Sequence, residues 1–376
     1  MLIRPVRVLL VALTAAALTL SGWAFAPPAE AAAPRLTVTK VAGNLSVPWD
    51  VTWIGSLLLF DQRAGGIWSK RGSAAPKRVA MALPAIQRGS EGGMLGLVAD
   101  PRASSNKYFY TCMAVAATRT ARKSVQVWKW RLTSDTSATK VKTLVRGIPL
   151  TSGRHSGCRL RFRSASMLYI GTGDAAVGTN PQNLKSLGGK VLRVRSDGSI
   201  PRSNPFYSRG GNARYVWTYG HRNVQGLALR PGSGQVWTAE HGPDRDDEVN
   251  RILRGRNYGW SPTPGYNERR PMTDKKRFPK AYSAKWRSGS PTVATSGATF
   301  LSGRTWQSWN GRLAVAMLKG KGVKLFTVST SGRITGQQTI LQGYGRIRTV
   351  QQAPDGTLYF TTADVTADAI YKVTPR

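Results

Sequence analysis

Acidic side chains are scarce in this chain: 18 Asp and Glu stand against 55 Lys and Arg, a formal charge of +37 over 376 residues. An excess of that size attracts anionic partners, whether wall polymers, phospholipid headgroups or nucleic acid. Dense Lys/Arg runs are absent, and no helix-turn-helix, zinc-finger or RNA-binding signature is present, so no specific nucleic-acid module is expected. A solvated cationic surface is the first reading, and attachment to anionic cell-envelope polymers the second. Cysteine is nearly missing as well. Cys112 and Cys158 are the only two, and outside the cytoplasm such a pair is expected to bridge ahead of remaining as two buried thiols. Long patterns of 3.6-residue period are lacking, so helices should be few and short. Beyond the N-terminus no apolar run is long enough to span a bilayer.

What is present begins with MLIRPVRVLLVALTAAALTLSGWAFAPPAEAAAPRL. Arg4 and Arg7 precede an apolar run that ends in small residues, the pattern of a secretory signal peptide over residues 1–33. A retained membrane anchor is disfavoured, because the run is short and meets Pro27 and Pro28 directly. Removal of this leader leaves a charge of about +36. With 41% hydrophobic residues the remainder is too apolar for wholesale disorder.

One unit recurs. An apolar strand, a turn built on Gly, Ser, Asp or Pro, and a second strand with a polar end start at Trp49, Met94, Arg159, Leu227, Thr299 and Val350. The spacing of roughly 45 to 70 residues is long for a hairpin and suits a four-stranded blade. A single six-bladed β-propeller over residues 34–376 is therefore expected, ahead of an irregular β-sandwich. The segments after each recurring strand should meet at one end of the central channel. A Pro-rich excursion from Gly259 reads as a loop over one face.

Three features could carry chemistry. EHGPDRDDEVN, residues 240–250, holds five of the scarce carboxylates beside a Gly-Pro turn, a supply of carboxylate and carbonyl oxygens that suits calcium. Pairing with Arg245, Arg251 and Arg254 would explain the same residues equally well. His155, one of three histidines, precedes a strand, and Asp174 at the end of the next could fix its tautomer as a base requires. Arg346 and Arg348, two apart on a strand, would project together as a clamp for a polycarboxylate, with Lys319 and Arg222 on neighbouring blade ends.

Taken together, NLSVPWDVTW, EGGMLGLVADP, HSGCRLRF with IGTGD, GGKVLRVRSDGSIPRSNPF, YGHRNVQGLAL, EHGPDRDDEVNRILRGRNYGW, LKGKG and GRIR resemble the soluble glucose/sorbosone dehydrogenases that use pyrroloquinoline quinone, from about Leu45 to Lys372. The resemblance independently implies the six-bladed propeller. It also implies calcium held by the Gly242, Pro243 and Tyr258 carbonyls, Asp247, Glu248 through water, and Glu268 in place of an Asp. Arg222 and Asn223 would approach the quinone oxygens, and Lys319, Arg346 and Arg348 its carboxylates. His155 would be the general base, oriented by Asp174, taking the sugar's hydroxyl proton as hydride passes to the cofactor.

Glu91 stands where glucose-oxidising members have Gln, Arg154 where they have Asp, and Thr349 where many have Asp. The first two would neighbour the substrate, so a different aldose, an acidic sugar or an unrelated alcohol is expected instead of glucose. The leading expectation is a secreted, calcium- and quinone-dependent sugar dehydrogenase that passes electrons to an external acceptor. A calcium-dependent propeller lactonase is the rival enzyme, and a propeller that binds polyanions or glycans without turnover is the rival binder.

Overall fold

The computed structural model of the protein describes residues 32–365 and 367–376, so nearly all of the expected leader lies outside the described residues. Six four-stranded antiparallel sheets stand in a ring, and the first strands of successive blades are neighbours around it. These inner strands are Pro48–Ile54, Met94–Ala99, Gly157–Ser164, Val224–Leu229, Thr295–Phe300 and Ile347–Gln352. Each pairs with the second strand of the recurring unit, so the period in the sequence is the blade repeat. Leu36–Leu45 closes the ring as the outer strand of the last blade, with Leu36 opposite Pro375. That pairing leaves no open seam between the first and sixth blades. Among the described residues the only α-helix is Ala103–Asn106.

Apolar side chains between the sheets hold the blades together. One cluster joins Val47 and Trp49 of the first blade to Tyr110, Cys112 and Val127 of the second and Leu160 and Ile170 of the third. Cys112 and Cys158 form a disulfide with α-carbons 5.6 Å apart, across the second and third blades. The bridge ends three residues after His155 and so pins the start of the strand that this histidine precedes.

All six inner strands lose register with their partners near the same end. The breaks fall between Pro48 and Val51, Met94 and Gly96, Gly157 and Arg159, Val224 and Gly226, Thr295 and Ala298, and Ile347 and Thr349. A bulge frees a residue from the ladder and re-aims its side chain. The freed residues include Trp49, Gln225, Ser296 and Arg348, and these four meet near the axis.

One step along, three inner strands carry glycine. A Cβ on Gly96 would lie 2.2 Å from the Cys158 carbonyl oxygen, one on Gly226 2.2 Å from that of Ser296, and one on Gly297 2.4 Å from Thr349 Oγ1. The other three carry Asp50, Arg159 and Thr349. Arg159 Nη1 lies 2.8 Å from Asp50 Oδ2 and donates to Thr349 Oγ1 at 2.9 Å. Bare backbone lets the blades close tightly, and the remaining polar side chains fill the channel below the bulges.

Candidate active site

Arg348 forms the floor. Its guanidinium carbon stands 3.8 Å from the centre of the Trp49 ring, and Nη1 donates to Gln225 Oε1 at 3.3 Å and Ser296 Oγ at 3.4 Å. Burial disfavours its charged form; Glu91 opposes that effect, whereas Arg159, Arg346 and Arg63 add to it. Glu91 is held in turn by Asn223 Nδ2 at 3.0 Å, by Gln225 Nε2 at 3.0 Å and by the Ser156 N–H at 3.3 Å. Among the described residues, the buried Nε atoms of Arg348 and Arg222 and the buried His241 Nε2 have no hydrogen-bond partner. Buried polar atoms are ordinarily paired, so these mark where a polar ligand fits.

His155 stands on the wall in a left-handed conformation, φ 53°, and is 4% exposed. Its Nδ1 lies 2.9 Å from Asp174 Oδ1. Asp174 Oδ2 accepts from Trp260 Nε1 at 2.8 Å and from the Tyr266 hydroxyl at 2.7 Å, and that hydroxyl is also 2.9 Å from Nδ1. Burial and the Asp174 charge push the Tyr266 hydroxyl well above the usual phenol range, which keeps it a donor. With Nδ1 engaged by Asp174, Nε2 is the ring nitrogen left for a substrate proton. Gly173 makes the approach feasible, since a Cβ there would sit 1.9 Å from the His155 carbonyl oxygen.

Arg222 adjoins this wall: its carbonyl accepts the Asp174 N–H at 2.8 Å. Its N–H donates to Glu240, Nη1 donates to the His241 carbonyl at 3.1 Å, and Nη2 meets Glu268 Oε1. Glu240 is steadied by His221 Nδ1 at 2.9 Å, and the His221 ring stacks on Tyr258 with centroids 4.6 Å apart. Burial, with the charges of Arg348 and Arg222 and then His155, holds His241 neutral, well below the usual histidine range. Arg154 Nη2 reaches Glu268 Oε2 at 2.5 Å, so one carboxylate ties Arg154 to Arg222 beside His155.

The structure brings His155, Asp174, Arg222, Asn223, Glu91, Arg154 and Arg348, all expected at the site, together in space. Arg346 departs from the expected clamp: it lies one residue before its strand, and its Nε turns to the Ala363 carbonyl at 3.2 Å. Its charge still acts on Arg348. Lys319 is exposed and forms no ion pair among the described residues.

The carboxylates of the expected calcium set do not gather. Asp247 Oδ1 accepts the Gly242 N–H at 2.9 Å, and Oδ2 accepts those of Val293 and Thr295 at 2.8 and 3.3 Å. Glu248 lies on a strand, bonded to Thr273 and Asn250 at 2.9 and 3.1 Å, and burial, with the Glu240 charge second, raises its carboxyl above the usual range. Glu268 faces two arginines. Among the described residues no three His, Cys, Asp or Glu side chains converge to hold a metal ion. Of the expected set, the carbonyls of Gly242, Pro243 and Tyr258 accept no backbone N–H among the described residues. The pairing alternative holds only for Arg245, which meets Asp244 at 3.1 Å; Glu248 pairs with Arg287 at 3.5 Å, and Arg251 and Arg254 form no ion pair among the described residues.

Tyr266, Trp260, His241 and Gln225 were missed. His241 carried a signal, being one of three histidines and standing next to the Gly-Pro turn. Tyr266 carried none, because it arrives from the Pro-rich excursion, 92 residues after Asp174.

Residues 45–372 match the family described as Glucose / Sorbosone dehydrogenase. The chain is 31% identical to "Aldose sugar dehydrogenase YliI" of Escherichia coli (strain K12), across 92% of this chain and 95% of that protein. A structure of the PQQ-bound form of aldose sugar dehydrogenase from Streptomyces coelicolor is 27% identical, covers 92% of this chain and 100% of its own, and superposes with a TM-score of 0.74. The apo-form of the soluble aldose sugar dehydrogenase from Escherichia coli gives 28%, 91%, 100% and 0.81.

Proposed function

Because the chain belongs to the glucose/sorbosone dehydrogenase family, we propose that it is a secreted quinoprotein that oxidises the hydroxyl of an aldose or related alcohol and passes the electrons to an external acceptor. Pyrroloquinoline quinone, when bound, would supply the carbonyl that accepts hydride. The cationic floor suits that tricarboxylate. Arg348 is buried with an unpartnered Nε, Arg346 adds charge beside it, and Arg222 and Asn223 face the same space. A lactone has no such need of buried cations.

His155 acts as the base in this reading. Nε2 takes the substrate's hydroxyl proton, and Asp174 stabilises the imidazolium that forms, with Trp260 and Tyr266 fixing the carboxylate. Arg222 offers positive charge where oxygen gains electron density. Glu91 and the Arg154–Glu268 pair border the site with charges of both signs, which favours a substrate other than a plain neutral hexose. Calcium finds only backbone carbonyls of the expected set, so no step is assigned to it.

One observation carries the proposal: a histidine with Nδ1 locked and Nε2 free stands beside an under-neutralised cationic floor. The test is reconstitution with pyrroloquinoline quinone, with and without calcium, followed by an aldose screen using an artificial electron acceptor. The expected result is stoichiometric quinone absorbance with dye reduction that His155→Ala abolishes while retaining the quinone. Absence of quinone binding, or full turnover in that variant, overturns the reading.

A further inference from the structure

Outside the site, a groove of about 930 Å³ lies against the third blade and adjoins a second cavity of about 430 Å³ through Tyr219, Asn257 and Phe278. Two features distinguish it. Phe206, Tyr219 and Phe278 give it aromatic surfaces, with Phe206 and Tyr219 in an edge-to-face pair 5.7 Å apart. Lys185, Arg209, Arg256, Arg277 and Lys280 supply cations, all exposed, and no Asp or Glu lines either cavity. Asn183 and Asn212 add side-chain amides.

Each component selects for part of a ligand. Aromatic faces take the C–H face of a pyranose ring. Amides exchange hydrogen bonds with hydroxyls. Cations without a facing acid attract an anionic partner and repel a cationic one. We propose that this groove binds an acidic oligosaccharide, a chain of uronate-type sugars, as an accessory site beside the catalytic one. The two are structurally joined: Gln182 in the groove donates to the Trp260 carbonyl at 2.9 Å, and Trp260 Nε1 donates to Asp174. A polymer held there lies on the blade that carries His155 and Asp174.

The preference for a sugar acid over a nucleic acid rests on the sugar-oxidation reading; the binding itself does not. The test therefore uses the full secreted chain without quinone and titrates it at low salt with hexagalacturonate, maltohexaose and hexathymidylate by calorimetry. Hexagalacturonate should bind, and maltohexaose should bind at least about tenfold more weakly for want of charge. Arg209→Glu with Lys280→Glu should weaken hexagalacturonate about tenfold or more without changing the melting temperature, and Phe278→Ala should weaken it without altering the salt dependence. No binding of hexagalacturonate, unchanged affinity in both variants, or tighter binding of hexathymidylate overturns the proposal. Failure here leaves quinone reconstitution untouched, and failure of reconstitution leaves this titration interpretable.

Discussion

The Tyr266 hydroxyl and Asp174 Oδ2 are 2.7 Å apart, although the two residues belong to different blades' loops and are 92 positions apart in the chain. The phenol thereby fixes the carboxylate that orients His155, so that under the proposed function Tyr266 is a positioning residue acting through Asp174 and His155.

Tyr266→Phe should keep the ring and lose the bond. One hydrogen bond to a charged group is worth about 1.5 to 3 kcal/mol, so kcat should fall about ten- to hundredfold with KM little changed. The acid limb of the rate profile should also move to higher pH, because Asp174 then has one donor fewer and favours the imidazolium more strongly. Steady-state kinetics across pH checks both; a change in KM alone would assign Tyr266 to substrate contact instead.

Arg348→Ala and Arg346→Ala separate two roles that the sequence equates. Arg348 is buried on Trp49, whereas Arg346 is half-buried and anchored to the Ala363 carbonyl. Quinone affinity should drop by at least about 2 kcal/mol for the first, the range of a buried charge-assisted bond, and by less for the second. Absorbance titration of each variant measures this, and equal losses would restore the symmetric clamp.

Asp247→Asn should act on stability and leave metal affinity alone. The aspartate accepts three backbone N–H groups, and an amide would turn a donor toward at least one of them. A loss of about 2 to 4 kcal/mol is expected. If Asp247 were a calcium ligand, the variant would lose whatever response of the melting temperature to calcium the parent protein has; the response to added calcium should be the same in both proteins.

Asp61 gives the stability a pH dependence. Burial, with the Asp50 charge second, pushes its carboxyl from 3.8 up to about 7, while Oδ1 accepts the N–H groups of Trp49 and Asp50. The folded state therefore holds a proton that the unfolded chain releases near pH 4. This contribution is complete below that pH and is lost as pH rises through about 7. Asp61→Asn should remove that fall, an effect on the order of 4 kcal/mol between the two limits. Denaturant melts at pH 4 and pH 8 measure it; parallel pH curves for the two proteins would sink the assignment.

The blade period, the strand-turn-strand units and the pairing of His155 with Asp174 were legible in the sequence because each depends on local order: alternation along a strand, turn residues, and the ends of consecutive strands. The Cys112–Cys158 bridge was legible as a possibility only, since residue counts say nothing about α-carbon distance.

The acidic stretch shows where legibility stops. EHGPDRDDEVN determined that negative oxygens would lie beside a Gly-Pro turn, but not what would face them. The fold turned Asp247 toward three N–H groups and sent Glu248 into a strand, leaving neither carboxylate for a shared ion.

By itself, then, the sequence determined a closed ring of six blades, its excess of positive charge and the nearness of His155 to Asp174. Only the tertiary structure decided that six coincident bulges bring Trp49, Gln225, Ser296 and Arg348 together, and that Tyr266 returns from a distant loop to hold Asp174. The physical reason is that a bulge and a loop's landing place depend on partners across the ring. Those contacts are set by packing between segments far apart in the chain, and no local pattern encodes them.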